Sequence, residues 1–221
     1  MNSYQDMEGK LIVFEGVEGC GKTTQLQRTR EWLQRILDSG SVPPVVVTRE
    51  PGGTELGACL RRLLLSNDAG KPIQDSAELL LYAADRAQHV EEVLKPQLTL
   101  GAIILCDRYT DSTIAYQGYG RGLMVGKIYQ LNSIATGGLE SDLTLWLDID
   151  VEVSLARKRL LSRPDRIEQA DLAFHRRVQQ GYVELARSHP KRIVRVDASL
   201  SEEAVQEQIQ AILSQRLTQW Y

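Results

Sequence analysis

Short apolar segments alternate with longer amphipathic segments along this chain. Five runs of aliphatic and β-branched residues have the length of a strand, and they cover residues 10–14, 44–48, 102–106, 143–149 and 192–196. Between these runs apolar residues recur at helical spacing, which predicts helices over residues 23–37, 54–65, 76–94, 127–135, 151–161, 168–188 and 201–217. We expect Pro96 to end the third of these helices, because proline disrupts a helix interior. Nearly all-apolar strands that alternate with helices predict an α/β fold, with a five-stranded parallel sheet and helices on both faces.

The chain, residues 1–221, is predicted to form a single domain. Its length fits one enzyme-sized core, and no internal repeat, low-complexity stretch or linker divides it. No apolar run approaches the roughly 20 residues that span a bilayer, and residues 1–10 are too polar for a secretory signal. We therefore expect a cytoplasmic protein without membrane contact. Three isolated cysteines and three scattered histidines predict neither a disulfide nor a zinc site, and we expect the histidines at surface or helix positions.

The charged residues predict which ligands the protein binds. A net charge of −3 argues against the broad basic face that binds nucleic acid. The basic residues are nevertheless 19 arginines and only 7 lysines, and arginine is the side chain that grips phosphate through two parallel hydrogen bonds. We therefore expect no nucleic-acid partner, and small anions bound in a focused, arginine-lined pocket.

A phosphate-binding motif directly follows the first predicted strand. Residues 16–23 match the pattern G-x-x-x-x-G-K-[ST] and open the first predicted helix. Glycines let the backbone wrap a phosphate, the helix N-terminus supplies positive potential, and the lysine reaches the β- and γ-phosphates. The motif predicts a P-loop NTPase, a three-layer sandwich that binds a nucleoside triphosphate and Mg²⁺ through Gly16, Val17, Glu18, Gly19, Cys20, Gly21, Lys22, Thr23 and Thr24.

The end of the third strand narrows the choice among P-loop proteins. A guanine-nucleotide switch normally carries N-K-x-D to read the base, and the chain contains no such tetrapeptide. A motor ATPase normally has a paired acidic motif after its third strand, whereas this strand is followed by Asp107 and Arg108. Such a pair suits a small-molecule kinase, in which Asp107 and Thr23 hold Mg²⁺ and Arg108 points at a second phosphate site.

Three further side chains are predicted to face the phosphate acceptor. Arg49 follows the second strand at the carboxyl edge of the sheet, where open α/β folds bind ligands, so it should converge with Arg108. Tyr82 and Arg86 are four residues apart and therefore share one face of a helix. An aromatic ring on that face stacks on a base, and a guanidinium beside it holds a polar group.

Four motifs in this chain resemble those of bacterial thymidylate kinases, which phosphorylate dTMP to dTDP: TREPGGT, YAADRAQHV, DRYTDSTIAYQGYGRG and DRIEQ. The resemblance extends from residue 11 to about residue 186, and it implies ATP as donor and a homodimer. It also implies that Tyr82 stacks on thymine and that Arg49 and Arg108 hold the dTMP phosphate. The other contacts that it implies are those of Arg86 and Thr113 with the pyrimidine edge, Tyr116 with the sugar C2′, Gln117 with the same pocket and Glu18 with the sugar 3′-hydroxyl.

A basic segment follows the fourth strand and its helix. Residues 157–166 contain five basic side chains and one acidic side chain, and Pro164 interrupts them as in a mobile flap. The resemblance identifies residues 157–168 as a lid that closes over ATP. Related enzymes carry a catalytic arginine either in the P-loop or in the lid, and this P-loop has none. The predicted catalytic residues are therefore Lys22, Asp107, Arg108, Arg163 and Arg166, with Arg159 as an alternative in the lid.

Three other functions remain open at this point. A deoxynucleoside kinase would use Glu50 as a base toward a 5′-hydroxyl, but a neutral nucleoside would leave Arg49 without an anion. A kinase for UMP, AMP or GMP is disfavoured mainly by Thr113 and Tyr116. A non-catalytic switch would bind ATP and have no phosphate acceptor at all.

Overall fold

The computed structural model describes residues 9–37, 44–66, 72–161 and 165–221. Within these ranges five strands form one parallel sheet in the order β2-β3-β1-β4-β5. The strands are β1 Lys10–Glu15, β2 Val45–Arg49, β3 Ile103–Asp107, β4 Leu143–Asp148 and β5 Ile193–Asp197. The predicted α/β fold with a five-stranded parallel sheet is confirmed, and both ends of every strand lie within one residue of their predicted positions.

Helices pack on both faces of this sheet. They are α1 Lys22–Leu37, α2 Glu55–Leu65, α3 Asp75–His89, α4 Lys95–Thr99, α5 Thr110–Thr113, α6 Val125–Thr136, α7 Val151–Leu161, α8 Leu172–Ser188 and α9 Glu202–Trp220. Two π-helical segments, Val90–Leu94 and Ile114–Gly120, extend α3 and α5. Among the described helices, none has the length and apolar character needed to cross a membrane.

The two faces of β1 explain its continuous apolar sequence. Ile12 and Phe14 point into a core built with α1, α8 and α9, whereas Leu11 and Val13 point into a second core that includes the Val90–Leu94 segment. All four side chains are completely buried. Because each face of a parallel sheet is covered by helices, its central strands lack polar alternation.

The strand register brings the chemistry-bearing residues to one edge. Phe14 of β1 and Arg49 of β2 both stand opposite Asp107 at the end of β3. The P-loop follows β1 directly, so its phosphate cradle opens beside Asp107. Ligands of open α/β sheets bind at this carboxyl edge, and the predicted nucleotide residues lie there.

Two helical regions differ from the prediction. Pro96 does not end the helix that begins at residue 75, because the wide π-helical turn precedes it and places it in the first turn of α4, where a missing N–H is tolerated. Residues 110–120 are also helical, although their glycines and tyrosines gave no amphipathic signal.

Two of the three histidines lie in helices. His89 ends α3 and His175 lies in α8, and neither side chain has any exposed surface. The prediction of surface or helix positions is therefore confirmed for both, at helix positions that are buried. Helix α8 begins at Leu172 and not at residue 168, because the Asp171 side chain accepts a hydrogen bond from the Phe174 amide and caps the helix there.

Candidate active site

A cleft of about 310 Å³ opens at the carboxyl edge of the sheet. The predicted residues that line it are Glu18, Gly19, Gly21, Lys22, Thr23, Thr24, Tyr82, Arg86, Asp107, Arg108, Thr113, Tyr116 and Gln117. Those outside its lining are Gly16, Val17, Cys20, Arg49 and Arg166, whereas Arg163 lies outside the described residues. The structure therefore brings together in one cleft most of the residues predicted to bind the phosphoryl donor and the phosphoryl acceptor.

The P-loop owes its shape to glycine. Gly16, Gly19 and Gly21 have φ angles of 141°, 78° and 97°, which L side chains rarely adopt. A Cβ on Gly19 would also lie 2.3 Å from the Ser154 carbonyl oxygen of α7. The Lys22 ammonium donates to the carbonyl oxygens of Gly16 and Val17, each at 3.0 Å, so it sits inside the loop at the start of α1.

Asp107 and Thr23 provide the oxygen atoms that suit Mg²⁺. Asp107 Oδ1 is buried and has no hydrogen-bond partner among the described residues. Thr23 is exposed to the cleft in the first turn of α1. A carboxylate and a hydroxyl are hard ligands, and Mg²⁺ in such sites takes its remaining ligands from water and substrate phosphates. Consistent with so few protein ligands, the described ranges contain no cluster of three or more histidine, cysteine or acidic side chains.

Arg108 is held by hydrogen bonds on both of its terminal nitrogens. Nη1 donates to Ser112 Oγ and the Tyr182 hydroxyl, at 3.1 and 3.3 Å, and Nη2 donates to Glu18 Oε1 and the Tyr116 hydroxyl, at 2.8 and 3.1 Å. Its backbone φ is 71°, an uncommon conformation for a residue with a side chain. Such a conformation persists only where the surroundings impose it, so the guanidinium is aimed into the cleft by its neighbours.

The carboxylate oxygen Oε2 of Glu15 lies 3.9 Å from Arg108 Nη1. The sequence analysis did not predict Glu15 as a residue of the site. Its buried carboxylate accepts hydrogen bonds from the backbone N–H groups of Tyr109 and Ser112 and from the hydroxyls of Ser112 and Tyr182. Burial raises the pKa of Glu15, and the nearby charge of Arg108 opposes that effect. The signal was available, because an acidic residue at the buried end of an apolar strand needs a partner.

Arg86 is a buried connector between three elements. Its side chain is 2% exposed and donates to Glu50 Oε2, Thr113 Oγ1, Asn132 Oδ1 and the Tyr109 carbonyl, at 2.8 to 2.9 Å. It therefore joins the end of β2 to the residue 110–120 region and to α6.

The same network engages both carboxylate oxygens of Glu50. Its second carboxylate oxygen lies 2.9 Å from His89 Nδ1, and His89 Nε2 lies 2.6 Å from Thr48 Oγ1. Both oxygens of Glu50 are thus engaged, which argues against the alternative in which Glu50 is a free base for a nucleoside hydroxyl.

The pocket wall combines one half-buried aromatic ring with three polar groups at helical spacing. Tyr82 of α3 lines the cleft, and burial, together with the charge of Glu78, raises the pKa of its phenol. Thr113, Tyr116 and Gln117 are three and four residues apart, so the unforeseen helical region presents them on one face. Gln117 Nε2 donates to Glu78 Oε1 at 2.8 Å. An aromatic ring and hydrogen-bonding side chains therefore line the same cleft, and this combination suits a base.

Arg61 of α2 was not predicted, although it lines the cleft. Its Nη1 donates to the Pro51 carbonyl at 2.9 Å. Arg61 and Arg108 both line the cleft, and Arg49 stands opposite Asp107, the residue before Arg108. Burial and the charges of Arg49 and Arg108 lower the pKa of Arg61. Arg49 itself is exposed and contributes its charge from outside the cleft lining. The adjacent Arg61 and Arg62 in the sequence gave no indication which of them would face the site.

The predicted lid segment contacts α3 through Glu78. Arg166 Nη2 pairs with Glu78 Oε2, and Arg166 Nε donates to the Leu64 carbonyl at 2.8 Å. The guanidinium of Arg166 therefore contacts α2 and α3 and is not part of the cleft lining. Asp165, Ile167 and Glu168 nevertheless line the cleft. The catalytic assignment of Arg166 and Arg163 stays a prediction.

Asp85 yields a pH-dependent prediction. Its Oδ1 accepts the Gly52 N–H at 2.9 Å, its Oδ2 has no partner among the described residues, and burial raises its pKa to about 6. A raised pKa means that the folded state holds the proton more tightly, so this group's contribution to stability falls as pH rises from about 4 to about 6. We expect Asp85→Asn to increase the free energy of unfolding at pH 7.5 by about 1–2 kcal/mol.

Urea unfolding of Asp85→Asn and the parent chain at pH 4 and pH 7.5 measures this effect. The gain should shrink at pH 4, where the parent carboxyl is largely protonated. An equal gain at both pH values would contradict the assignment to a buried charge.

The P-loop and the arginines Arg61 and Arg108 line one cleft, a combination typical of a P-loop nucleotide kinase rather than of P-loop switches and motors. The chain belongs to the thymidylate kinase family, whose family model matches residues 14–209. It is similar to thymidylate kinases of Nostoc punctiforme, 69% identical over 94% of this chain and 96% of that protein, and of Trichodesmium erythraeum, 60% identical over 97% and 99%. The crystal structure of the Ehrlichia chaffeensis thymidylate kinase covers 93% of this chain and 99% of its own, with a TM-score of 0.76 and 33% identity.

Proposed function

We propose that this chain transfers the γ-phosphoryl group of ATP to dTMP and releases dTDP and ADP. The observation that carries the proposal is the single cleft in which Lys22 of the P-loop and Arg108 of the acceptor side both lie. An acceptor phosphate is already anionic at neutral pH, so the reaction needs positioning and charge neutralisation and does not need a strong base. The engagement of both Glu50 oxygens agrees with this chemistry.

The acceptor phosphate is assigned to the three arginines that cluster at the sheet edge. Arg108 supplies a guanidinium fixed by the support of Glu15, and Arg61 and Arg49 add positive charge beside it. Guanidinium groups match phosphate oxygens in pairs. In this proposal Arg108 remains the main contact of the acceptor phosphate. Arg61 is added to Arg49 and Arg108, the two phosphate-binding arginines predicted from the sequence.

The base is assigned to the wall formed by α3 and the residue 110–120 region. Tyr82 stacks on the pyrimidine, and Arg86 and Thr113, already joined at 2.8 Å, face its polar edge. Gln117 lines the same pocket. The ring of Tyr116 fills the space beside the sugar C2′ and so disfavours a ribose.

ATP is assigned to the P-loop, with Mg²⁺ held through Thr23 and Asp107. Mg²⁺ bound there neutralises phosphate charge and orients the transferring group. The backbone N–H groups of residues 19–24 and the N-terminus of α1 bind the phosphates, and Lys22 moves from the carbonyl oxygens of its own loop to the β- and γ-oxygens. Arg163 and Arg166 of the lid complete the charge around the phosphoryl group, which requires Arg166 to leave Glu78.

We assign the protein to the cytoplasm and infer a homodimer. Exposed leucines on neighbouring helices support the dimer: Leu56 and Leu63 of α2 and Leu80 of α3 are 48%, 48% and 59% exposed. These side chains are exposed on two helices that pack together, exposed apolar patches mark interaction sites, and homo-oligomers most often pair one such face with itself.

An acceptor screen tests the proposed reaction. ADP release should be fast with dTMP and slower with dUMP, whereas UMP, AMP, GMP and thymidine should give little turnover. Thymidine isolates the requirement for a phosphate, and UMP isolates the role of Tyr116. Faster turnover with thymidine than with dTMP would favour the deoxynucleoside kinase, and ATP binding without turnover of any acceptor would favour the switch.

A further inference from the structure

A completely buried histidine lies behind the P-loop acid. His175 of α8 has no exposed surface, and neither of its ring nitrogens has a hydrogen-bond partner among the described residues. His175 Nδ1 is 4.0 Å from Glu18 Oε2, and this oxygen is also buried without a partner. Two complementary polar groups thus face each other at a distance about 1 Å longer than a hydrogen bond.

The unpaired imidazole is unfavourable for folding, which calls for another reason for its presence. A buried polar group without a partner costs about 1–3 kcal/mol, and a phenyl ring of similar size would avoid that cost. The ring is nevertheless held in place, because Phe174 meets it edge-on with centroids 5.2 Å apart, and Phe174 itself packs against Tyr116. His175 is therefore fixed next to residues of the nucleotide cleft without lining the cleft.

Glu18 accepts hydrogen bonds from Arg108 and Tyr116 in this structure, whereas the proposed function requires it to bind the sugar of dTMP. Its Oε1 accepts from Arg108 Nη2 at 2.8 Å and from the Tyr116 hydroxyl at 2.6 Å. In the proposed function Arg108 must offer these donors to the dTMP phosphate, and Glu18 must turn toward the sugar 3′-hydroxyl. Burial favours the protonated acid, and the charges of Arg108 and Lys22 outweigh that effect and lower the pKa of Glu18. A carboxylate that gives up Arg108 therefore needs another donor.

We propose that His175 is a positioning residue that supplies this donor and orients Glu18 toward the sugar 3′-hydroxyl of dTMP. An imidazole with a proton on Nδ1 donates it to Glu18 Oε2 once the carboxylate has moved by about 1 Å. The acceptor phosphate draws Arg108 Nη2 away whether or not His175 is present, and Oε1 then faces the substrate hydroxyl. This inference rests on the proposed function.

The test compares two acceptors, dTMP and its 3′-deoxy analogue, in the ADP-release assay. With the dTMP acceptor, His175→Phe should raise KM about tenfold and change kcat less than twofold, because about one hydrogen bond to a charged group is lost. With the 3′-deoxy analogue, KM should not change, since that substrate has no hydroxyl for Glu18 to bind. His175→Asn, whose amide nitrogen replaces Nδ1, should restore KM for dTMP to within about threefold of the parent value.

Three further variants make the outcome decisive. In a Glu18→Gln background His175→Phe should no longer alter the ratio of the two KM values, and His189→Gln at the end of α8 should leave every parameter unchanged. His175→Leu gives the same ratio if the phenylalanine variant does not fold. Equal changes for both acceptors, or no change for either, would overturn the role of His175. Absence of dTMP turnover by the parent chain would instead reject the proposed function.

Discussion

Arg108→Ala is expected to lower kcat/KM for dTMP by on the order of 10³-fold or more. The guanidinium is the fixed cation of the acceptor side, and its loss removes charge stabilisation that grows as the phosphoryl group transfers. Steady-state kinetics with dTMP as the varied substrate measures the effect. Truncation also leaves Glu15 buried without the cation that opposes its raised pKa, so a lower melting temperature should accompany the loss of activity.

Arg108→Lys separates charge from geometry. Lysine keeps the charge but has no planar fork for two phosphate oxygens, so we expect it to recover only a minor part of the activity. Arg177→Ala is the matched control, since Arg177 donates to the Gly120 carbonyl away from the cleft. Activity of Arg108→Ala within a factor of ten of the parent would show that another group binds the acceptor phosphate.

Arg86→Met is expected to lower the free energy of unfolding by about 3–5 kcal/mol, because it breaks a buried ion pair and leaves Glu50 as an uncompensated charge. The same change removes donors from Thr113, Asn132 and the Tyr109 carbonyl. Urea unfolding monitored by circular dichroism measures the stability. Because Arg86 also lines the base pocket, KM for dTMP should rise in conditions where the variant is folded.

Arg187→Met provides the comparison for this second variant. Arg187 is an exposed arginine of α8 that pairs with Glu184 three residues away, and surface pairs of this kind contribute about 0–1 kcal/mol. A similar loss of stability in the two variants would mean that the network around Arg86 carries little energy.

The strands and the P-loop were predictable because the physics that determines them is local. The central strands are buried on both faces, so composition alone marks them, and the P-loop needs its glycines and lysine at a fixed spacing. The residue 110–120 region shows the opposite case. Its helix packs against α8 through close approaches such as that of Gly120 to Phe174. The periodicity of its own sequence does not predict such contacts.

The supporting residues of the site depend on elements that are distant in the chain. Glu15 meets Tyr182 from 167 positions away, and Arg166 meets Glu78 from 88 positions away. Sequence spacing carries no information about such pairs. The prediction consequently found groups expected to touch the substrate, such as Tyr82 and Lys22, and missed Glu15, Arg61 and Glu78.

Glu78 connects the proposed base pocket to the predicted lid. Its buried carboxylate receives Gln117 from the cleft lining, Arg166 from the predicted lid and Arg121 from the end of the residue 110–120 region. In the proposed function, a base that draws Gln117 from Glu78 alters the pairing of Arg166 with Glu78, and closure of the lid alters the hydrogen bond from Gln117. Linkage of this kind is reciprocal, so binding of the acceptor and binding of the donor should change each other's affinity by the same factor.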